Sequence, residues 1–280
     1  MSLTRPVMRY HGSKWRLAPW IIGHFPPHGR YVEPFSGAAS VLMRKLPSAQ
    51  EVYNDLDGEI VNVFRVLREP NQAEQLLRLI GFTPHSRAEY DLGCEYICPQ
   101  VDPVEAARRT LTRAYMGYAN ATTGKYKTGF RSRHDVGGGN LAASWAGYPE
   151  QIPVFTQRLR NVTLESMDAI ACIKKYDDKG TLFYADPPYL PETRTAHDTK
   201  GYRHEMTLED HRQLAEVLHS VRGMVILSGY DSPLYRELYA DWRVATCATW
   251  GEGAVSRTEC LWISPRALRQ SSQYLLEGVV

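Results

Sequence analysis

Two units of the same form open the chain, and they restrict its fold more than any other feature. Arg30-Tyr31-Val32-Glu33 is a short β-favouring run. Pro34-Phe35-Ser36-Gly37-Ala38-Ala39-Ser40 is a turn of mostly small residues, and Val41-Leu42-Met43-Arg44-Lys45-Leu46 is a good helix former. Glu51-Val52-Tyr53-Asn54-Asp55 is a second strand ending on an acid, and 57–68 carries Ile60, Val61, Phe64 and Leu67 at helical spacing. Strands alternating with helices imply a parallel sheet, because parallel neighbours need a crossover connection. From 70 to about 150 the pattern changes. Residues 71–80 and 103–118 read as helices, and 119–148, rich in Gly, Thr, Ser, Asn and Arg, reads as a long exposed loop. Compact domains keep loops of that length mainly for function. Strand signals return at 161–164, 180–185 and 224–228, with an amphipathic helix over 207–221 opened by an acidic capping box, Thr207 and Asp210. Residues 242–249 and 259–263 can pair as a terminal antiparallel hairpin. The expected fold class is α/β: residues 1–70 and 150–280 form the sheet domain, and 71–149 a mainly helical and loop insert.

Composition bounds the partners. No stretch of about 18 apolar residues exists to span a membrane, and 1–14 is too polar and mixed for a secretory leader. The five cysteines are odd in number and widely spaced. Only Cys94 and Cys98 are close, with no second Cys/His pair to complete a metal site. Reduced thiols in a cytoplasmic protein without metal are the expectation. The net charge is only +2, from 33 Lys+Arg against 31 Asp+Glu. That balance argues against a nucleic-acid partner only if the charge is evenly spread. It is not: residues 106–134 carry +7 with no Asp or Glu, leaving −5 for the rest of the chain. The basic residues there are Arg108, Arg109, Arg113, Lys125, Lys127, Arg131 and Arg133. Tyr115, Tyr118, Asn120, Tyr126 and Phe130 are interleaved. Basic groups neutralise phosphates, Arg and Asn read base edges, and aromatic groups wedge into base steps. The plainer alternative is a solvated basic helix face.

Three short motifs carry chemistry. Asp186-Pro187-Pro188-Tyr189 directly follows an apolar strand, and ligands of open α/β sheets bind at strand carboxyl ends. The prolines stiffen the turn and remove two backbone donors. The Asp186 carboxylate and nearby carbonyls can then accept from a planar amine, with Tyr189 as a flat face. The turn at 33–40 lets a ligand approach the backbone beside a helix N-terminus. It is neither G-x-G-x-x-G nor a phosphate-binding loop with its lysine, which disfavours a nucleotide phosphate. Asp55, at the end of the second strand, is placed to accept from ribose hydroxyls. Its alternative role is to cap the next helix, a task that Asp57 can also perform. Together the three describe a site for adenosine joined to something other than phosphate.

With these residues in hand, the chain resembles the DNA adenine methyltransferases, especially the Dam-like enzymes that use S-adenosylmethionine (AdoMet). Tyr10-His11-Gly12-Ser13-Lys14 resembles the family's aromatic-x-Gly-Gly-Lys element, with Ser13 in place of a glycine. Glu33 to Ser40 resembles Glu-Pro-Phe-x-Gly-Ala-Gly-Ser, with Ala39 in place of the last glycine. Asn54-Asp55-Leu56-Asp57 and Arg257-Thr258-Glu259 match later elements, and Asp186-Pro187-Pro188-Tyr189 is the family's catalytic tetrapeptide unaltered.

The resemblance implies that Tyr10 and Lys14 contact the cofactor, Lys14 near its carboxylate or Asp186. Phe35, Ser36 and Gly37 would line the methionine end, Asp55 would hold the ribose, and Asp186 would border the cofactor as well as the target. Asp168 would meet the adenine amine, in competition with Glu165. It also implies double-stranded DNA as partner, through a target-recognition insert at 71–149, and leaves the oligomeric state open. Competing readings are an RNA or protein (glutamine) amine methyltransferase and an inactive DNA-binding relic.

Overall fold

The strands of the expected β-α units form and lie side by side in a computed structural model that describes residues 3–118, 127–132, 139–193, 202–250 and 256–276. Five are parallel: β1 (Arg30–Glu33), β2 (Gln50–Asn54), β3 (Val162–Glu165), β4 (Thr181–Ala185) and β5 (Met224–Gly229). The last two, β6 (Arg243–Trp250) and β7 (Ser256–Ile263), pair antiparallel with each other, and β7 pairs antiparallel with β5. The sheet order is β3-β2-β1-β4-β5-β7-β6. The expected terminal hairpin is present, its turn at 251–255 lying outside the described residues.

The described helices are α1 (Ala18–Ile22), α2 (Ser40–Arg44), α3 (Gly58–Arg68), α4 (Pro70–Gly81), α5 (Arg87–Gly93), α6 (Pro103–Met116), α7 (Leu141–Ala146), α8 (Ile152–Leu159), α9 (Ala169–Tyr176), α10 (Leu208–Ser220), α11 (Pro233–Leu238) and α12 (Pro265–Leu276). Strand side chains alternate between the two faces. Tyr31, Tyr53, Leu182, Tyr184, Ile226 and Leu261 enter one core with α2, α3, α4, α6 and α8. Val32, Val52, Phe183, Val225, Leu227 and Trp262 enter the other with α9, α10 and α11. Helices on both faces bury β4 and β5 completely, which is why they read as unbroken apolar runs.

The insert shares the first of these cores. Leu76, Ile80, Tyr90 and Leu111 are buried in the same cluster as Tyr31 and Leu182. The long exposed loop expected over 119–148 needs correction at its end. Residues Leu141–Ala146 are helical, Asn140 caps them by accepting from Ala143 N at 3.1 Å, and buried Trp145 stacks on buried Tyr148. Glycine, serine and asparagine around these two aromatic residues concealed a short helix anchored by three- and four-residue apolar spacing. The capping box at α10 forms in both directions: Asp210 Oδ2 accepts from Thr207 N at 2.7 Å, and Thr207 Oγ1 accepts from Asp210 N at 3.2 Å. No helix among the described residues is long and apolar enough to cross a membrane.

After β1 the chain moves outward to β2 and β3, and after its return at β4 it moves the other way to β5. The strand order therefore reverses between β1 and β4, where a crevice opens at the carboxyl ends.

Candidate active site

Side-chain hydrogen bonds tie three carboxyl-end loops into one floor. Asn54, the last residue of β2, donates through Nδ2 to Pro34 O at 2.9 Å and Met167 O at 3.0 Å, and its Oδ1 accepts from Met167 N at 3.0 Å. Ser36 Oγ donates to Glu33 O at 2.8 Å and accepts from Asn54 N at 3.1 Å. Gly37 has φ +47°, and a Cβ there would lie 2.6 Å from Tyr10 Cε1. Only glycine satisfies both the backbone angle and the approach of the tyrosine ring. Tyr53 OH donates to Gly37 O at 3.0 Å, fixing the turn from below.

Asp55 Oδ2 accepts from Gly37 N at 2.8 Å, and Oδ1 accepts from Asp57 N at 2.8 Å. Asp57, not Asp55, caps α3, accepting from Glu59 N at 3.0 Å. Asp168 caps α9, accepting from Ala171 N at 2.9 Å, and still lines the cleft. Its competitor Glu165 instead accepts from Lys175 and Tyr176 and is absent from the lining.

The crevice is a cavity of about 340 Å³ whose lining includes Tyr10, Lys14, Phe35, Ser36, Gly37, Asp55, Asp168 and Asp186. All eight residues expected at the cofactor thus border one cavity. Pro188 lines it too, while Pro187 and Tyr189 are not among the lining residues. The polar, charged stretch 194–204 just past Tyr189 reads from sequence either as a loop closing over the target base or as a plain surface loop; of it, Tyr202, Arg203 and His204 line the cleft, joined by Glu205 and Met206, and 194–201 lie outside the described residues. Arg203 Nη1 pairs with Asp57 Oδ1 at 3.2 Å and Glu59 Oε1 at 2.9 Å. Nothing in the sequence announces a pair separated by more than 140 positions.

Charge is unbalanced here. Lys14 Nζ lies 3.0 Å from Asp186 Oδ1, 3.9 Å from Glu259 Oε1 and 4.7 Å from the centre of the Tyr189 ring, and donates to Gly12 O at 3.0 Å. Tyr189 OH donates to Glu259 Oε1. Apart from the Lys14 ion contact, buried Asp186 Oδ1 makes no hydrogen bond among the described residues. Burial pushes the carboxyls up: Glu33 to about 8, Asp55 to about 6, and Asp186 and Glu259 above their ordinary range against the pull of Lys14. Burial alone would lower Lys14, but Asp186 and Glu259 outweigh it and hold the ammonium charged. An excess of buried acid fits a cationic ligand such as a sulfonium, and a buried carboxylate oxygen with no neutral hydrogen-bond partner among the described residues fits a docking N–H donor.

The basic stretch is not the free cationic surface expected from its sequence. Arg108 is 7% exposed and forked onto Glu105 (2.6 Å and 2.8 Å) and Glu89 (2.8 Å). Arg109 pairs with Glu105 at 2.8 Å, and Arg113 with Glu59 at 2.6 Å. Tyr115 OH donates to Pro6 O at 3.0 Å, with its ring against Trp145 and Tyr148. Arg131 is 7% exposed. Tyr118 is exposed, and Lys127 is half-exposed, paired with Asp91 at 2.7 Å. Asn120, Lys125 and Arg133 lie outside the described residues. A count confined to 106–134 missed the neutralising acids because they come from α3, α5 and the first turn of α6. No group of three or more His, Cys, Asp or Glu among the described residues could hold a metal ion.

Comparison with known proteins agrees with this geometry. Over 252 residues, 86% of each chain, the sequence is 29% identical to the type II methyltransferase M1.LlaDCHI of Lactococcus lactis subsp. cremoris. It is 26% identical over 246 residues to the DNA adenine methylase of Salmonella typhi, covering 85% of both chains. It is 25% identical, with the same coverage, to that of Escherichia coli (strain K12). The family model described as D12 class N6 adenine-specific DNA methyltransferase matches residues 10–252. A match over most of the chain, with every motif at the carboxyl edge of one sheet, places this protein in the D12 class of N6 adenine-specific DNA methyltransferases.

Proposed function

We propose that this enzyme methylates the exocyclic amine of adenine in double-stranded DNA at the crevice between β1 and β4, with Asp186 as the residue that receives the amine. The observation carrying this is the buried Asp186 Oδ1, which belongs to a cavity-lining residue and, among the described residues, meets only the Lys14 ammonium, at 3.0 Å. Tyr10, Lys14, Phe35, Ser36, Gly37, Asp55 and Asp168 would hold AdoMet, which supplies an electrophilic methyl group when bound. An adenine amine is a poor nucleophile because its lone pair is delocalised into the ring. Asp186 and the Pro187 carbonyl accept its two N–H groups and draw the nitrogen toward a tetrahedral shape, which localises the lone pair. Positioning the amine in line with the methyl group supplies much of the rate. Positive charge then develops on the amine, and the Asp186 carboxylate stabilises it in a site shielded from water.

A stacked base cannot enter a cavity at this depth, so the target is flipped out of the duplex. Tyr189 stacks on it, its hydroxyl braced by Glu259. The insert at 71–149 carries target recognition. Exposed Tyr118 and half-exposed Lys127 lie on its solvent side, in the same stretch of sequence as Asn120, Lys125 and Arg133.

The test is incubation with labelled AdoMet and unmethylated genomic DNA, followed by mapping of the modified bases. Label is expected on adenine in a fixed sequence context. Asp186→Ala should retain most AdoMet binding and lose methyl transfer. Label on cytosine, RNA or protein alone, or near-normal turnover by that variant, overturns the assignment.

A further inference from the structure

The Lys14 ammonium occupies the oxygen that the target amine needs. It stands 3.0 Å from Asp186 Oδ1, within a pocket where its own side chain is 7% exposed. An amine docking on Asp186 must displace it, and a buried ammonium cannot be left unpaired without a large penalty. A second acceptor is already in place. Glu259 Oε1 is 3.9 Å from Nζ, its side chain 4% exposed. Its position follows from topology: β7 runs antiparallel to β5, with Cys260 opposite Gly229. The early part of β7 therefore reaches the carboxyl ends of the parallel strands, and Glu259, where the polar start of β7 gives way to apolar Cys260–Ile263, arrives near Lys14 and Asp186. Tyr189 completes the path, its ring 4.7 Å from Nζ and its hydroxyl held by Glu259. A ring face is favourable ground for a cation moving past it.

We infer that Glu259 is a positioning residue that takes over the Lys14 ammonium when the target amine docks on Asp186. The shift needed is about 1 Å, the difference between the two contacts. With Glu259 balancing Lys14, the full charge of Asp186 is left for the amine on which positive charge develops. This rests on the proposed reading of Asp186 as the amine acceptor.

The test is a double-mutant cycle on single-turnover methyl transfer, with AdoMet and unmethylated genomic DNA both saturating. Glu259→Gln, which keeps a hydrogen-bond acceptor for Tyr189 but removes the charge, is expected to lower the rate by ~10–100-fold while changing AdoMet affinity less than ~3-fold. Glu259→Asp, which keeps the charge, stays within ~3-fold of wild type. In a Lys14→Met background, Glu259→Gln costs nothing further. An equal penalty in both backgrounds would mean that Glu259 only braces Tyr189, and would overturn the inference. So would a loss in Glu259→Asp as large as that in Glu259→Gln. Wild-type enzyme that fails to methylate DNA adenine overturns instead the underlying reading, a result visible before any variant is made.

Discussion

The cleft and the helical insert both bury charge, and they bury it differently. In the insert, Arg108 meets Glu105 and Glu89, and Arg113 meets Glu59. These are closed pairs: Arg108 and Arg109 hold the Glu105 carboxyl below its ordinary range, against some burial. In the cleft, Asp186 and Glu259 share the buried Lys14, Glu33 and Asp55 make no ion pair among the described residues, and all four are pushed upward by burial. Closed pairs join helices and ask nothing of a ligand. An excess of acid raises the free energy of the empty site and is relieved by a bound cation. The sign of the carboxyl shift thus separates scaffold from site where burial alone does not.

Breaking a closed pair gives the largest expected effect. Arg108→Ala leaves Glu89 without its partner and Glu105 with Arg109 alone, in a mostly buried setting, and should cost about 3 kcal/mol, a fall in Tm of roughly 6–12 °C for a chain of this size. The salt dependence of DNA binding should be unchanged. A normal Tm with a reduced salt slope would make Arg108 a phosphate contact and dissolve the contrast.

Arg203 belongs to both regions, since it clamps the segment over the cleft onto Asp57 and Glu59 while Glu59 also holds Arg113. Arg203→Ala should weaken AdoMet binding by about tenfold, about 1.4 kcal/mol, with little change in Tm. Equilibrium binding and calorimetry together check this.

The unbalanced acids predict a pH signature. Asp55 and Glu33 hold protons in the folded state up to about 6 and about 8, where the unfolded chain would already have released them. The native state then binds more protons than the unfolded one, so stability of the free enzyme should fall as pH rises from about 4 to 8. AdoMet favours the ionised acids, so its affinity should drop below about pH 6, by at most about tenfold per unit for each proton displaced. Asp55→Asn should flatten the lower part of both curves. A free enzyme whose Tm climbs across this range would show that the cleft acids are paired like those of the insert.

The smallest effect concerns the turn itself. Ala39 is a buried non-glycine residue in the left-handed region, at φ 52°. Ala39→Gly should raise stability by about 0.5–1 kcal/mol by removing the Cβ clash, readable as a Tm rise of roughly 1–4 °C.

Much of this was legible in the order of residues. Apolar strand runs, the small-residue turn after Glu33 and the capping box at Thr207 are local signals, each set by neighbours a few positions away. Trp145 and Tyr148 are hidden as helix anchors, because two aromatic residues do not outweigh the glycines beside them in a local pattern. Arg108 and Arg113 look unpaired within 106–134 because their acids lie outside that window. Glu259 stands in a family-like element and Arg203 in a charged loop, but neither signals its partner, which lies 70 or more positions distant.

The sequence by itself determined the parallel sheet, the motif at each strand end and the kind of ligand those motifs suit, because backbone preference and residue chemistry act over short range. Only the tertiary structure decided which charges are spent and which are kept. Coulomb interactions and desolvation depend on distance and burial, and chain order fixes neither until β7 returns antiparallel beside β5 and α6 packs against α3.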